Sequence, residues 1–462
     1  MTRETKNIAR RGQDNAHIRS AEAQHISEQE AQPISEREIK NIPEQEAQHI
    51  SERKLKNSGI KWIGEIPEEW EVVKIKYVTS TRSENGKFSP ESDMYIGLEN
   101  IETRSNILIN TEAEYGTAQY NICKKGDILF SKLRPYLAKA IISPIDGFCT
   151  GELLNFKSFN GDKRFLWYYL LSDQFIDIVN ASTYGTKMPR ASADFIINLP
   201  ISLPPLSEQR VIADFLDAKC SEIDGLLADL DAEVKTLTQY KKSLIAETVT
   251  HGLNPNATMK SLNLGWIDEV PANWSISRIA SLYTVRKEKV SDQDYMPLSV
   301  TMKGIVPQLE NAAKTNHGDD RKLIRKGDFV INSRSDRRGS CGISPYDGSC
   351  SLINIVLAPR EAMNPQYYDW LFHTSIFADE FYKWGYGIVD DLWTTNWGAM
   401  RRIQIPVPPI CEQAEIADFL NEKIPQLDQV IADKTTQIET LRSYKSSLIY
   451  EYVTGKKQIA GI

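Results

Sequence analysis

The sequence predicts an α+β (mixed α/β) protein built twice over. Two globular halves are joined by two long helices that form an antiparallel coiled coil, a pseudo-twofold internal duplication behind a disordered N-terminal tail. Three observations predict this. Landmarks recur at a fixed offset: WIGEIPEEW at Trp62 and WIDEVPANW at Trp266, PPLSEQRVIADFL at Pro204 and PPICEQAEIADFL at Pro408, YKKSLIAETVTHG at Tyr240 and YKSSLIYEYVTG at Tyr444, each pair 204 residues apart. Heptad seams follow each PP dipeptide. Between the landmarks, short apolar runs mix with short helix-like stretches, without the regular alternation of a doubly wound sheet.

Residues 1–57 form the tail. Residues 22–53 read EAQHISEQ, EAQPISER, EIKNIPEQ and EAQHISER, an octapeptide written four times. Eight residues rotate a helix by ~80° beyond whole turns, so one isoleucine per unit builds no fixed apolar face. Pro33 and Pro43 interrupt a helix as well. So little apolar surface does not offset the entropy of ordering, which predicts disorder.

The halves, 58–205 and 257–410, carry strand-like runs such as DILFS, AIISP, DFVINS and INIVLAP, and helix-like runs such as FLWYYLLSDQFIDIV and YYDWLFHTSIFADEFY. KKGDILFSKLRP at Lys124 answers RKGDFVINSRSD at Arg325 with an offset of 201, as GFCTG at Gly147 answers GSCSL at Gly348. Equal offsets at the ends with small insertions inside mean that a domain and its connector were duplicated together.

The connectors are 206–256 and 411–462. In the first, Ser207 is expected to cap a helix, with Val211, Ile212, Phe215 and Leu216 on one face. A second start is expected at Ser221, three residues before Asp224, and at Pro425 in the other copy. Ile223, Leu227, Leu230, Val234, Leu237 and Leu244 make one seam, and Leu427, Ile431, Ile438, Leu441 and Leu448 the other, with Lys434 the one polar intrusion. Such narrow seams need a partner helix, and the other copy is the simplest one. About 28 residues of helix make a rod of ~42 Å.

The net charge of −7 argues against a nucleic-acid binder only on average. The connectors hold 5 basic residues against 9 acidic and 6 against 8, while the halves hold 16 against 18 and 18 against 17. The acidity thus lies on the helices, and the halves are near neutral. Six cysteines without a CxxC pair point to free thiols in a reducing cytoplasm, and no apolar run is long enough to span a membrane. The phosphate-loop and dinucleotide-loop motifs and a histidine pair at metal spacing are missing from the sequence, so a catalytic reading has little to stand on.

With these motifs in view, the chain resembles the specificity subunit of type I restriction–modification systems. The resemblance is carried by WIGEIPEEW, KKGDILFSKLRPYLAKA, RKGDFVINSRSDRRGSCGISPYDGSCS and the two proline-EQ connectors, and covers about 58–462; the octapeptide tail departs from it. It implies a non-catalytic subunit whose two target-recognition domains each read half of a split, asymmetric double-stranded DNA site. It further implies two methyltransferase subunits held on the helices, restriction subunits in the full complex, and S-adenosylmethionine, ATP and Mg on those partners with no cofactor on this chain. The ~42 Å rod suits two readers one duplex turn apart, ~34 Å.

Candidate DNA contacts follow from residue type and place. Lys132, Arg134 and Tyr136 leave the strand-like DILFS, and Lys187 and Arg190 lie in the Gly/Pro loop TYGTKMPR. Arg334, Arg337 and Arg338 occupy the corresponding place in the second half, with Asp336 a possible positioning partner. Asn396 lies between Trp393 and Trp397, and Arg401 and Arg402 follow. Arginine and lysine can address guanine or phosphate, and asparagine can read adenine. The competing expectation for each single charge is an ordinary solvated side chain or local salt bridge. A non-catalytic coiled-coil scaffold that binds proteins is the alternative for the whole chain.

Overall fold

The computed structural model describes residues 53–91, 93–109, 120–308, 318–360, 363–387 and 393–459. The octapeptide array to Glu52, and with it the expected disorder, lies outside the described residues. The chain divides into two compact units, Met1–Ile223 with Ser443–Ile462, and Asp224–Arg442. Each unit therefore holds one globular half together with segments of both long helices.

In the first unit, four antiparallel strands run in the order Thr79–Thr81, Leu153–Phe159, Ile128–Ser131 and Ala140–Ile142. The second unit repeats that order with Tyr283–Val285, Asn354–Pro359, Phe329–Asn332 and Cys341–Ile343. The Lys-Gly-Asp turns that open the central strands are alike. Gly126 and Gly327 take φ of 84° and 89°, a region open to glycine, and Asp127 and Asp328 accept from the amides of Lys124 and Arg325 at 3.0 and 2.8 Å. Each buried aspartate also binds an arginine, Arg82 at 2.9 Å and Arg286 at 2.6 Å. The turn motif is a structural device in both copies.

Two short helices cover each sheet, Lys163–Leu171 with Asp173–Ala181 and Pro365–His373 with Ser375–Lys383. The apolar runs suggest one helix apiece, but Ser172 and Thr374 break them. Their hydroxyls donate back to Tyr169 O and Leu371 O at 2.7 Å, and both residues take extended dihedrals. Aromatic side chains fill the cores. Tyr283, Phe329, Tyr367, Phe372, Phe377 and Phe381 pack with Ile416, Leu420 and Ile424 of the second long helix. Phe130, Tyr169 and Phe175 meet edge to face in the first unit, with centroids 5.9 to 6.0 Å apart.

The long helices run without interruption over Leu206–His251 and Ile410–Val453. This corrects the expected restarts. Ser221 is exposed in mid-helix and Pro425 lies inside the second helix. A proline there removes one backbone hydrogen bond, but Leu420 and Ile424 beside it are buried, and that packing carries the helix through. The first helix opens at Leu206, before the expected cap Ser207, and Val211 is exposed whereas Ile212, Ala213 and Leu216 are buried.

Within the second unit the two helices pair antiparallel. Glu233 binds Lys434, Lys241 binds Asp428 at 2.5 Å, and Asp231 lies 3.5 Å from Arg442, so numbers rise on one helix as they fall on the other. In the first unit Phe215 stacks near Tyr452 at 4.5 Å in the same sense. Ile223, Ile438 and Leu448 are buried; Leu227, Leu230, Val234, Leu237, Leu244, Leu427, Ile431 and Leu441 are half-buried. Lys434 sits on the seam and answers its charge with Glu233.

Arg53–Asn57, read as the end of the tail, belongs to the folded first unit. Leu55–Asn57 pairs antiparallel with Glu65–Pro67, as Met259–Ser261 pairs with Glu269–Pro271 in the second.

Candidate nucleic-acid interface

In the first unit, the chain leaving strand Ile128–Ser131 meets the Gly/Pro loop directly. Arg134 N donates to Pro189 O at 2.7 Å, Ala191 N donates to Lys132 O at 2.9 Å, and Leu133 and Arg190 form an antiparallel bridge. Tyr184 and Arg190 close the loop by exchanging backbone hydrogen bonds of 3.1 and 3.0 Å. Arg134 takes φ 49°, ψ 61°, a left-handed geometry that a non-glycine residue holds only when its surroundings enforce it. The two loops singled out in the sequence thus form one surface.

Its side chains differ in their freedom. Lys187 and Tyr136 are exposed and Arg134 is half-exposed. Arg190 pairs with Glu152. Lys132 is half-buried, and burial lowers its ammonium below the usual value; neighbouring Arg190 adds to this while Glu152 opposes it. Lys132 and Arg190 are therefore partly spent on Glu152, and Lys187 is the freest cation of the loop.

The second unit builds the same clamp from other residues. Ser335 N donates to Trp393 O at 2.9 Å, Thr395 N donates to Ser333 O at 2.9 Å, and Arg334 bridges Thr394, which in turn bridges Tyr386. Ser333 thereby stands where Lys132 stands, and Thr394 where Arg190 stands. Asp336 lies 3.1 Å from Arg334 and 3.8 Å from Arg337, the positioning partner its sequence place suggested. Arg338 pairs with Asp379 and lies 5.6 Å from the Tyr382 ring centroid. Arg337 and Arg338 are exposed.

Asn396 has a local duty that its sequence context hides. It is the N-cap of Trp397–Met400, its Oδ1 accepting from Ala399 N at 3.0 Å and its Nδ2 donating to Tyr386 Oη at 3.1 Å. Ser192 holds the corresponding place before Ala193–Asn198. Bidentate adenine reading by Asn396 would dismantle this cap. Arg401 and Arg402 are exposed at the other end of that short helix, where the Arg401 carbonyl accepts from Ala280 N.

The duplicated PPxxEQ segments do something else. Glu208 accepts from Trp70 Nε1 at 3.0 Å and from both Arg53 amino groups at 2.6 and 2.9 Å. Glu412 accepts from Trp274 Nε1 and Asn273 Nδ2, both at 2.6 Å. Gln209 and Gln413 each donate to the first proline carbonyl at 2.8 Å and accept from the amides of the helix-capping Asp162 and Asn364 at 3.0 and 2.8 Å. One Glu-Gln pair thus bolts entrance tryptophan, covering helix and connector together in each unit.

Comparison with known proteins decides what this architecture is. Residues 66–236 match the family model described as the type I restriction modification DNA specificity domain. A Methanocaldococcus jannaschii protein, provisionally named the MjaX type I restriction enzyme specificity subunit, is 25% identical over 86% of this chain and 96% of its own length. The MjaVIII specificity subunit of the same organism is 29% identical over 40% of this chain and 46% of its own. The fold matches a solved structure from work on complex assembly and conformational transition of the type I R-M system. The TM-score is 0.67 at 16% identity, covering 85% of this chain and 99% of the other. The chain belongs to the specificity-subunit family of type I restriction–modification systems.

A specificity subunit recognises and does not catalyse, so its working surface is the loop clamp and not a pocket with activated side chains. Among the described residues no group of histidine, cysteine and carboxylate side chains could hold a metal, and no helix is long and apolar enough to cross a membrane. All six cysteines are free thiols, five of them buried. The sequence reading brought Lys132, Arg134, Lys187 and Arg190 together correctly, and likewise Arg334, Arg337 and Arg338. It missed the exposed aromatic residues of the same clamps, Tyr184, Trp384 and Tyr386. A Tyr-Gly pair repeated in two otherwise unlike loops was the available signal.

Proposed function

We propose that this specificity subunit reads a bipartite, asymmetric double-stranded DNA site, one half-site with residues 58–205 and the other with 257–410. The connectors 206–256 and 411–462 dock two methyltransferase subunits, and restriction subunits join the full complex; S-adenosylmethionine, ATP and Mg act on those partners. One observation carries the reading. The same two-loop clamp is built in both units, yet its crown is Lys132, Lys187 and Arg190 in one and Arg334, Arg337 and Arg338 in the other. A shared frame with unlike donors is what two readers of unlike sequences require, since phosphate contacts position and only a few side chains read base edges.

The test is methylome sequencing of cells with and without the gene, followed by exchange of the clamp loops. A two-part methylated motif should disappear with the gene. Replacing 132–136 and 184–190 should alter only one part of it. An unchanged methylome in cells that express the whole system refutes the reading.

A further inference from the structure

The clamps differ in nearly every exposed side chain, but one is the same in both. Tyr184 and Tyr386 each precede a glycine, each pair through the backbone with the opposite side of the clamp, and are 62% and 61% exposed. A single exposed tyrosine is unremarkable. Two at the same station, in loops that have otherwise exchanged their charges, answer to something common to both half-sites. Bases are not common to both. The sugar–phosphate backbone is. Each tyrosine also stands among cations: Lys132, Arg134, Lys187 and Arg190 in the first clamp, Arg334, Arg337 and Arg338 in the second. In the second, Tyr386 Oη accepts from Asn396 Nδ2 at 3.1 Å, which leaves its own proton to donate outward.

We propose that Tyr184 and Tyr386 are matched positioning residues, each phenol donating a hydrogen bond to a phosphate oxygen of the half-site its unit reads. They set the register of the clamp on the duplex, and base discrimination is left to the neighbours that differ. This rests on the function proposed above and assigns a division of labour within it.

The experiment uses the full chain co-purified with its methyltransferase subunits. Tyr184→Phe, Tyr386→Phe and the double variant are titrated against a duplex carrying the methylated motif and against duplexes with either half scrambled. Each single change should weaken binding about three- to tenfold, the range of one lost hydrogen bond, by the same factor on every duplex. The slope of log affinity against log salt, the thermal midpoint and the methylated motif should stay as in the wild type, because a neutral exposed donor is removed. Unchanged affinity overturns the proposal. So does a loss confined to the intact motif with relaxed choice at one base, which marks a base reader, or a fall in thermal midpoint, which marks packing. If the wild-type complex prefers no motif at all, the functional reading itself fails; if it does and the phenylalanine variants match it, this inference alone fails.

Discussion

Glu208→Ala offers a quantitative test of the bolt that holds the first unit to its connector. The carboxylate is 6% exposed and accepts three hydrogen bonds, one from the fully buried Trp70 indole and two from Arg53. Alanine leaves the indole N–H without an acceptor, which costs about 1–3 kcal/mol. It also frees Arg53, whose remaining carboxylate is the exposed Glu69 at 3.4 Å. Since Arg53 can turn towards Glu69 and water, that part costs about 1–2 kcal/mol, below the 3–5 kcal/mol of a fully buried broken pair. The expected loss is therefore about 3 kcal/mol. Glu208→Gln keeps an acceptor for the indole and loses mainly the charge assistance, about 1 kcal/mol. Urea unfolding followed by tryptophan fluorescence reads both, and Trp70 itself should shift its emission in the alanine variant. Equal losses for alanine and glutamine, or a loss under about 0.5 kcal/mol for alanine, would refute the reasoning, because the indole acceptor would then carry no weight.

Replacing Arg334, Arg337 and Arg338 together by alanine should weaken DNA binding on all sequences and lower the salt slope by roughly 1 per phosphate contact removed, measured by anisotropy across a potassium chloride series. Ile438→Ala, on the buried part of the seam, should cost about 2–4 kcal/mol in chemical denaturation. Asp369 is buried with Oδ1 unpaired, and burial raises its carboxyl above the usual value, His373 offsetting only part. The folded chain therefore keeps that proton to higher pH than the unfolded chain, so the penalty on folding grows as pH rises from the usual carboxyl range through the raised value. Asp369→Asn should raise the thermal midpoint at pH 7, and the gain should vanish in acid below the usual carboxyl range.

What the sequence made legible was whatever repeats or has a period. The 204-residue offset exposed the duplication, and the heptads placed Leu237, Ile438 and Leu448 on a seam that the structure buries or half-buries. Local signals misled where tertiary packing opposed them. Ser221 and Pro425 look like helix starts, but burial of Ile212, Leu216 and Ile223 in one helix, and of Leu420 and Ile424 in the other, continues both through those points. Asn396 looked like a base reader because its residue type can read adenine; its capping role depends on Ala399 N and Tyr386 Oη, which only the folded clamp brings within reach. Side-chain type predicts what a residue could bind, and its neighbours in space decide what is left over for binding.

The unequal divergence of the two copies then has a physical cause. At the exits, Glu208 and Glu412 must meet an indole N–H, and Gln209 and Gln413 must join a proline carbonyl to the cap of a covering helix. Each of these groups is buried or nearly so, and a single unmatched one costs about 1–3 kcal/mol, a sizeable share of a domain's stability. Change there is therefore confined. At the clamps, the frame is held by backbone hydrogen bonds, Ala191 N to Lys132 O and Thr395 N to Ser333 O, which any residue except proline can donate. Lysine can be exchanged for serine and arginine for threonine without touching them. A recognition surface whose frame is made of backbone and whose crown is made of side chains can change its target while keeping its shape. The segments that stayed alike are those that hold the reader together, and the segments that drifted are those that read.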